Sequence, residues 1–189
     1  MVKDILPNSG SYLLGQMVVF GNYLYFSGVD GTHGTELWRS DGTASGTALF
    51  KDILNGSGNG LPHFLTVAGN TLYFVGGGGK EVWKSDGTAT GTVMVKDICC
   101  GSGQPNYGSD PIYLTAVGNT LFFQADDGTN GEELWKSDGT ASGTVMVKDI
   151  NSGSSTSYPD YLTAVGSTLY FQAYDGSNGY ELWLSLIHI

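Results

Sequence analysis

Basic residues are scarce in this chain. Eight Lys and Arg stand against eighteen Asp and Glu, a formal net charge of −10. Nucleic acid demands clustered Lys and Arg to displace its counterions, and an anionic lipid surface demands much the same, so the charge balance argues against both partners. Long apolar runs are also missing. None approaches the ~20 residues of a membrane-spanning helix, and no secretory leader is visible, so membrane insertion is not expected. Catalytic signatures are absent as well. There is no G-x-S-x-G elbow, phosphate-binding P-loop or HExxH zinc helix, and no carboxylate pair stands apart as a glycosidase would need. Of the three histidines, His33 and His63 are not repeated and His188 lies in an unrelated tail. On these absences the chain is read as non-catalytic. Cysteine is confined to Cys99-Cys100. Two adjacent thiols without a second pair or a nearby His cannot build a four-ligand zinc site. A strained vicinal disulfide is conceivable in an oxidising setting, but free thiols are the expectation.

What is abundant is glycine, thirty residues of it, in a chain that is 40% apolar and only 14% charged. That composition suits a globular core, and the glycines fall between short apolar runs, as in an all-β chain rich in hairpins. The runs repeat. "EVWKSDGTATGTVMVKDI" at 81–98 returns as "ELWKSDGTASGTVMVKDI" at 133–150. Trp38, Trp83, Trp135 and Trp183 are spaced by 45, 52 and 48 residues, and Gly21, Gly69, Gly118 and Gly166 by 48, 49 and 48. The period is therefore about 48, with one deletion and one insertion in loops.

Each period holds four strand candidates. In the third they are Tyr113–Val117, Thr120–Ala125, Glu132–Ser137 and Thr144–Ile150. Gly118-Asn119 between the first two is a two-residue hairpin signal. The second strand, "TLFFQA", is nearly continuously apolar and should be covered on both faces, while "VMVKDI" carries the Lys and Asp of an exposed edge. Short connections, four strands and this period are those of β-propeller blades. The expected fold is all-β: blades of four antiparallel strands, arranged as four blades or as an open four-blade arc of a larger propeller. Residues 1–183 form one repeat array. The expected core comprises Trp38, Trp83, Trp135, Trp183, Phe74, Phe123 and Phe171.

The phrase Glu36-Leu37-Trp38-Arg39-Ser40-Asp41-Gly42-Thr43, and its copy from Glu133 to Thr140, resembles the bacterial ELWxxDGT repeat family. The second copy reads Glu81-Val82-Trp83, and the fourth, Glu181-Leu182-Trp183-Leu184-Ser185, loses the DGT. The resemblance implies a secreted or cell-surface β-propeller-like module within a larger protein, used for interaction or display. A glycan-binding, lectin-type propeller is the alternative, so the partner is a protein or a glycan. The ends look unlike native termini. Met1-Val2-Lys3-Asp4-Ile5 aligns with the internal Met94–Ile98 and Met146–Ile150, and residues 184–189, "LSLIHI", have no kinship to any repeat. An internal fragment, left as an open arc with Val2–Ile5 unpaired from Glu181–Trp183, is the expectation.

Three features suggest a site. The DGTxxGT segments at Asp41, Asp86 and Asp138 read as tight turns, where Asp folds back on backbone N–H groups. The acidic turn before the third strand is sharper. Asp126, Asp127, Asn130 and Glu132 supply hard oxygen ligands of the kind calcium takes, so a weak calcium site is a candidate, and no other cofactor is expected. Third, a lectin should repeat an exposed aromatic at one position, and Tyr107, Tyr158 and Tyr180 occupy unlike positions, which disfavours it.

Overall fold

The protein's structure, a computed structural model, describes residues 1–6, 14–78, 80–99 and 108–186. The described residues contain strands and turns and no helix. The first sheet is an antiparallel meander of β1 (Leu14–Phe20), β2 (Tyr23–Val29), β3 (Thr35–Ser40) and β4 (Ala48–Lys51). The second comprises β5 (His63–Ala68), β6 (Thr71–Gly76), β7 (Glu81–Ser85) and β8 (Val93–Met94). The third runs through β9 (Ile112–Val117), β10 (Thr120–Asp126), β11 (Glu132–Ser137) and β12 (Val145–Lys148). The fourth has only β13 (Asp160–Val165), β14 (Thr168–Tyr174) and β15 (Tyr180–Leu186).

The fourth sheet has three strands where the other three have four. The fourth repeat contains no copy of the "VMVKDI" phrase, so nothing among the described residues pairs with the outer edge of β15, and Val2–Ile5 forms no strand. Two compact units are present. Met1–Val67 with Thr71–Met94 makes the first, and Ala68–Asn70 with Val95–Ile189 the second.

The strand registers repeat as the sequence does. Phe26 faces Trp38, Phe74 faces Trp83, Phe123 faces Trp135 and Phe171 faces Trp183 across each central pair. One face of each central strand therefore carries Phe and Trp, and the other carries Tyr25, Tyr73, Phe122 or Tyr170. Both faces are covered in the first three sheets, so the apolar runs are continuous rather than alternating. In the first unit, Tyr25 and Leu37 of the first sheet pack with Leu65, Leu72 and Phe74 of the second. In the second unit, Val117, Phe122 and Leu134 pack with Leu169, Phe171 and Ala173. Trp38 and Trp135 are buried, whereas Trp83 and Trp183 are half-buried. The indole Nε1 atoms of Trp38, Trp83 and Trp135 are buried without an acceptor among the described residues, while Trp183 donates to the Ala173 carbonyl at 3.2 Å.

Turns between β3 and β4, and their equivalents, are wired internally. Asp138 Oδ1 accepts from both the backbone N–H and the hydroxyl of Thr140, and the Thr140 hydroxyl oxygen accepts from Gly143 N. Thr144 Oγ1 donates to the Thr140 carbonyl and lies 2.7 Å from Ser137 Oγ. The same set recurs from Ser40 to Thr47 and from Ser85 to Thr92. The hydroxyl and N–H of Thr43 and Thr88 hold Asp41 and Asp86 below the usual carboxylate range. A Cβ on Gly143 would run into the Asp138 carboxylate, which is why glycine stands there. Gly143→Ala should lower stability by about 1–3 kcal/mol, read as a reduced Tm in thermal unfolding. An unchanged Tm would show that the turn yields freely.

Connections between sheets are held by the glutamate of the repeated phrase. Glu36 is fully buried and accepts from Ile53 N at 2.6 Å and Gly60 N at 2.7 Å. Glu133, also fully buried, accepts from Ile150 N, Asn151 N and Ser157 Oγ. Both donor sets lie on the segment leading from the fourth strand to the next sheet. Lysines of the fourth-strand phrase, Lys96 just beyond β8 and Lys148 at the end of β12, add a second tie, which corrects their reading as mere edge protection. Lys96 Nζ donates to the Thr144 carbonyl at 2.8 Å and lies 5.6 Å from the Trp135 ring centroid. Lys148 lies over Trp183 at 5.0 Å. Their butyl stems span the gap and their ammonium groups meet an aromatic face.

Cys99 is buried and disulfide-bonded, which corrects the expectation of a free thiol there; Cys100 lies outside the described residues.

Candidate functional site

The first strand of the repeat carries an irregularity that shapes a cleft. Pairing slips by a residue between β9 and β10 and again between β13 and β14. At those points Tyr113 and Tyr161 adopt φ of 59° and 54°, a left-handed conformation rare for aromatic residues. Thr115 and Thr163 pin each bulge by donating a hydroxyl hydrogen bond to the Tyr113 and Tyr161 carbonyls. Three residues upstream of each, Asp110 and Tyr158 also take positive φ, at 43° and 50°. Such strain persists only where surrounding structure over-determines it, and it concentrates where side chains must be aimed.

Here it aims phenol rings outward. Tyr113, Tyr158, Tyr161 and Tyr180 are all exposed. Within the second unit, Tyr113, Tyr158 and Tyr180 join Gln124, Glu132, Asp160 and Gln172 around a cavity of about 370 Å³. A neighbouring cavity of about 360 Å³ shares Gln172 and Tyr180 and adds Tyr161 and Tyr170. Gln124 is buried and lines the cavity. The Asp160 carboxylate, beside the Tyr113 hydroxyl and hydrogen-bonded to it, pushes that phenol above its ordinary value. Burial, with Asp126 and Asp110 nearby, pushes Glu132 up as well. Aromatic faces beside amides and carboxylates can stack on a ring while hydrogen-bonding its hydroxyls.

The calcium candidates are arranged differently. Asp127 Oδ1 accepts from Thr129 N and Asn130 N, and Oδ2 accepts from Asn130 Nδ2 at 2.8 Å. Burial by itself would raise Asp127, but those hydrogen bonds outweigh it and hold the carboxyl below its usual range. Asp126 Oδ1 accepts from Gly128 N, and Glu132 lines the tyrosine cleft instead. Asp126 stands opposite Glu132 across β10 and β11, while Asp127 and Asn130 bond to each other in the turn between them. No group of three or more His, Cys, Asp or Glu among the described residues is placed to hold a metal. Asp30 and Asp175 make the same self-contained turn with His33 and Asn178.

Of the tyrosines weighed against a lectin, Tyr158 and Tyr180 converge on one cavity although they are not equivalent in the repeat, and Tyr107 lies outside the described residues. Sequence reasoning missed Tyr113, Tyr161, Gln124, Gln172 and Asp160. A signal existed in "HFLT", "IYLT" and "DYLT", which put Phe64, Tyr113 and Tyr161 at one repeated position, and Phe64 also has φ of 52°.

No protein-family model matches the chain, and no curated protein matches it. Among solved structures, a mutant of puromycin hydrolase complexed with PGG is similar, with a TM-score of 0.58 over 90% of this chain at 13% identity. This chain spans 26% of the length of that one. The likeness is one of fold. It nonetheless corrects the reading of the chain as non-catalytic, because the same fold occurs within a hydrolase and the absence of motifs in such a span does not carry that conclusion.

Proposed function

We propose that the chain is a run of β-propeller blades of the ELWxxDGT kind, a binding module of a secreted or cell-surface protein, with its ligand in the tyrosine-lined cleft of the second unit. Four antiparallel meanders of one repeated sequence, packed face to face where they adjoin within each unit, support the propeller reading. The observation that carries the binding reading is the convergence of exposed Tyr113, Tyr158 and Tyr180 with Gln124, Asp160 and Gln172 on one cavity. Left-handed backbone at Tyr113 and Tyr158 recurs at Leu61 and Phe64, so it is a device of the repeat, and the second unit uses it to present tyrosines. A protein segment is one ligand class. A glycan is the second, favoured by amide and carboxylate groups beside open aromatic faces.

One experiment separates these readings: the chain is applied to an array carrying both glycans and tyrosine- or proline-rich peptides, alongside the Tyr113→Ala, Tyr180→Ala double variant. Binding that falls at least tenfold in the variant supports the cleft. Hits confined to glycans select the lectin-type reading, and hits confined to peptides select a protein partner. Silence on both, or binding that survives the double substitution, counts against the proposal. Loss of binding on calcium chelation would assign a metal to the Asp126–Glu132 turn.

A further inference from the structure

The tyrosine cleft of the second unit carries negative charge that its own lining does not oppose. Glu132 and Asp160 line it together with Tyr113, Tyr158 and Gln124, and no Lys, Arg or His stands among the described residues of that lining. Both carboxylates act on one ring: the Asp160 charge pushes the Tyr113 phenol up, and Glu132 adds to the effect. Glu132 is itself raised, first by burial and then by Asp126 and Asp110. A cation in the cleft would relieve this repulsion.

The fold does not ask for these side chains. Aligned on Trp38 and Trp135, Gln124 corresponds to Ser27 and Glu132 to Thr35. Aligned on "FLT" and "YLT", Tyr158 corresponds to Leu61 and Asp160 to His63. The first unit therefore builds the same kind of sheet pair with neither an acid nor a phenol at these four positions. The backbone is alike in both, with φ of 47° at Leu61 and 50° at Tyr158, so the difference lies in the side chains alone.

Tyr113 and Tyr158 are 39% and 50% exposed, which leaves ring surface free beside the carboxylates. An aromatic face attracts a cation through its quadrupole. A planar guanidinium can stack on a phenol while its N–H groups donate to a carboxylate and to the amide of buried Gln124. A neutral sugar would strip water from two carboxylates without supplying a counter-charge. A small divalent ion would take oxygen ligands and make no use of the rings.

We propose that the cleft takes the guanidinium of an arginine on a protein partner, stacked on the Tyr113 or Tyr158 ring and bonded to Glu132 and Asp160. The assignment rests on the binding reading of the cleft given above and narrows its ligand to a basic peptide segment. The chain's formal net charge of −10 favours the approach of such a segment.

Nuclear magnetic resonance titration of the full chain compares three probes: a blocked pentapeptide with one arginine among glycines, the same peptide with citrulline for arginine, and a trisaccharide of N-acetylglucosamine. Citrulline keeps the shape of arginine and loses its charge. The arginine peptide should shift the Tyr113, Glu132 and Asp160 resonances and bind at least about tenfold more tightly than the citrulline peptide. Combining Glu132→Gln with Asp160→Asn should abolish that preference while leaving the affinity for citrulline within about twofold. Circular dichroism verifies that the variant folds, and the comparison of peptides on the wild type does not depend on it. Equal affinity for the two peptides, or a preference that survives the double substitution, would overturn the arginine assignment and leave the cleft a binding site. Shifts produced by the saccharide alone would also overturn it, in favour of a glycan. No shift of these resonances with any probe would sink both the assignment and the binding reading beneath it.

Discussion

Glu133→Ala should destabilise the chain by about 3–5 kcal/mol, while Glu181→Ala, the same substitution one repeat later, should change stability by less than about 0.5 kcal/mol. Glu133 is fully buried and accepts from three donors, whereas Glu181 is exposed. Truncation leaves the N–H groups of Ile150 and Asn151 and the Ser157 hydroxyl facing an apolar gap. Glu133→Gln retains one oxygen but turns an amide N–H₂ toward a donor, so an intermediate loss is expected. Urea unfolding of the three variants measures this. Equal losses at Glu133 and Glu181 would show that the glutamate acts within its own sheet and not on the following connection. Burial raises the Glu133 carboxyl above its ordinary value. A raised carboxylate favours folding more when protonated, so its contribution grows as pH falls through the folded value toward the unfolded ~4.3 and is reduced above it. The gap between wild type and Glu133→Ala should therefore widen in acid.

Leu134→Ala should cost about 2–5 kcal/mol, and Leu182→Ala less than about 0.5 kcal/mol in dilute solution. Leu134 is at 0% exposure among Val117, Phe122, Leu169 and Phe171. Removing its isobutyl group opens a cavity whose walls belong to two sheets and cannot collapse together. Leu182 meets solvent, so its truncation removes no packing. Chemical denaturation compares the two directly. A large loss at Leu182 would mean that the fourth sheet's outer face is covered, contrary to its exposure.

The two pairs also explain what the sequence could and could not reveal. The hairpin at Gly118-Asn119 was legible because a two-residue turn restricts backbone chemistry, and Gly118 indeed has φ of 59°. The DGTxxGT turns were legible for the same reason: their bonds lie within eight residues. Glu133 was not, because its donors are 17 to 24 residues away and a carboxylate before Leu-Trp reads as a solvent-facing alternation. Nor was the tyrosine cleft. "IYLTAV" and "DYLTAV" look like regular strands, and only a one-residue slip, invisible in the pattern, turns Tyr113 and Tyr161 outward. Asp127's oxygens, which the acidic pattern offers to a cation, also cap its own turn, a use that the spacing alone does not reveal.

The Glu36 clasp has a consequence for the order in which the chain matures. Its carboxylate meets its donors only at Ile53 and Gly60, after the first sheet's last strand has already been written. During synthesis a sheet therefore emerges with its central glutamate still hydrated and its strands loosely held. It consolidates when the next stretch of chain leaves the ribosome and delivers the two N–H groups. Glu36 and Glu133 each tie a sheet to the connection that follows it, so consolidation of these sheets is expected to trail synthesis by a short stretch of chain, with short loops and a small closure entropy.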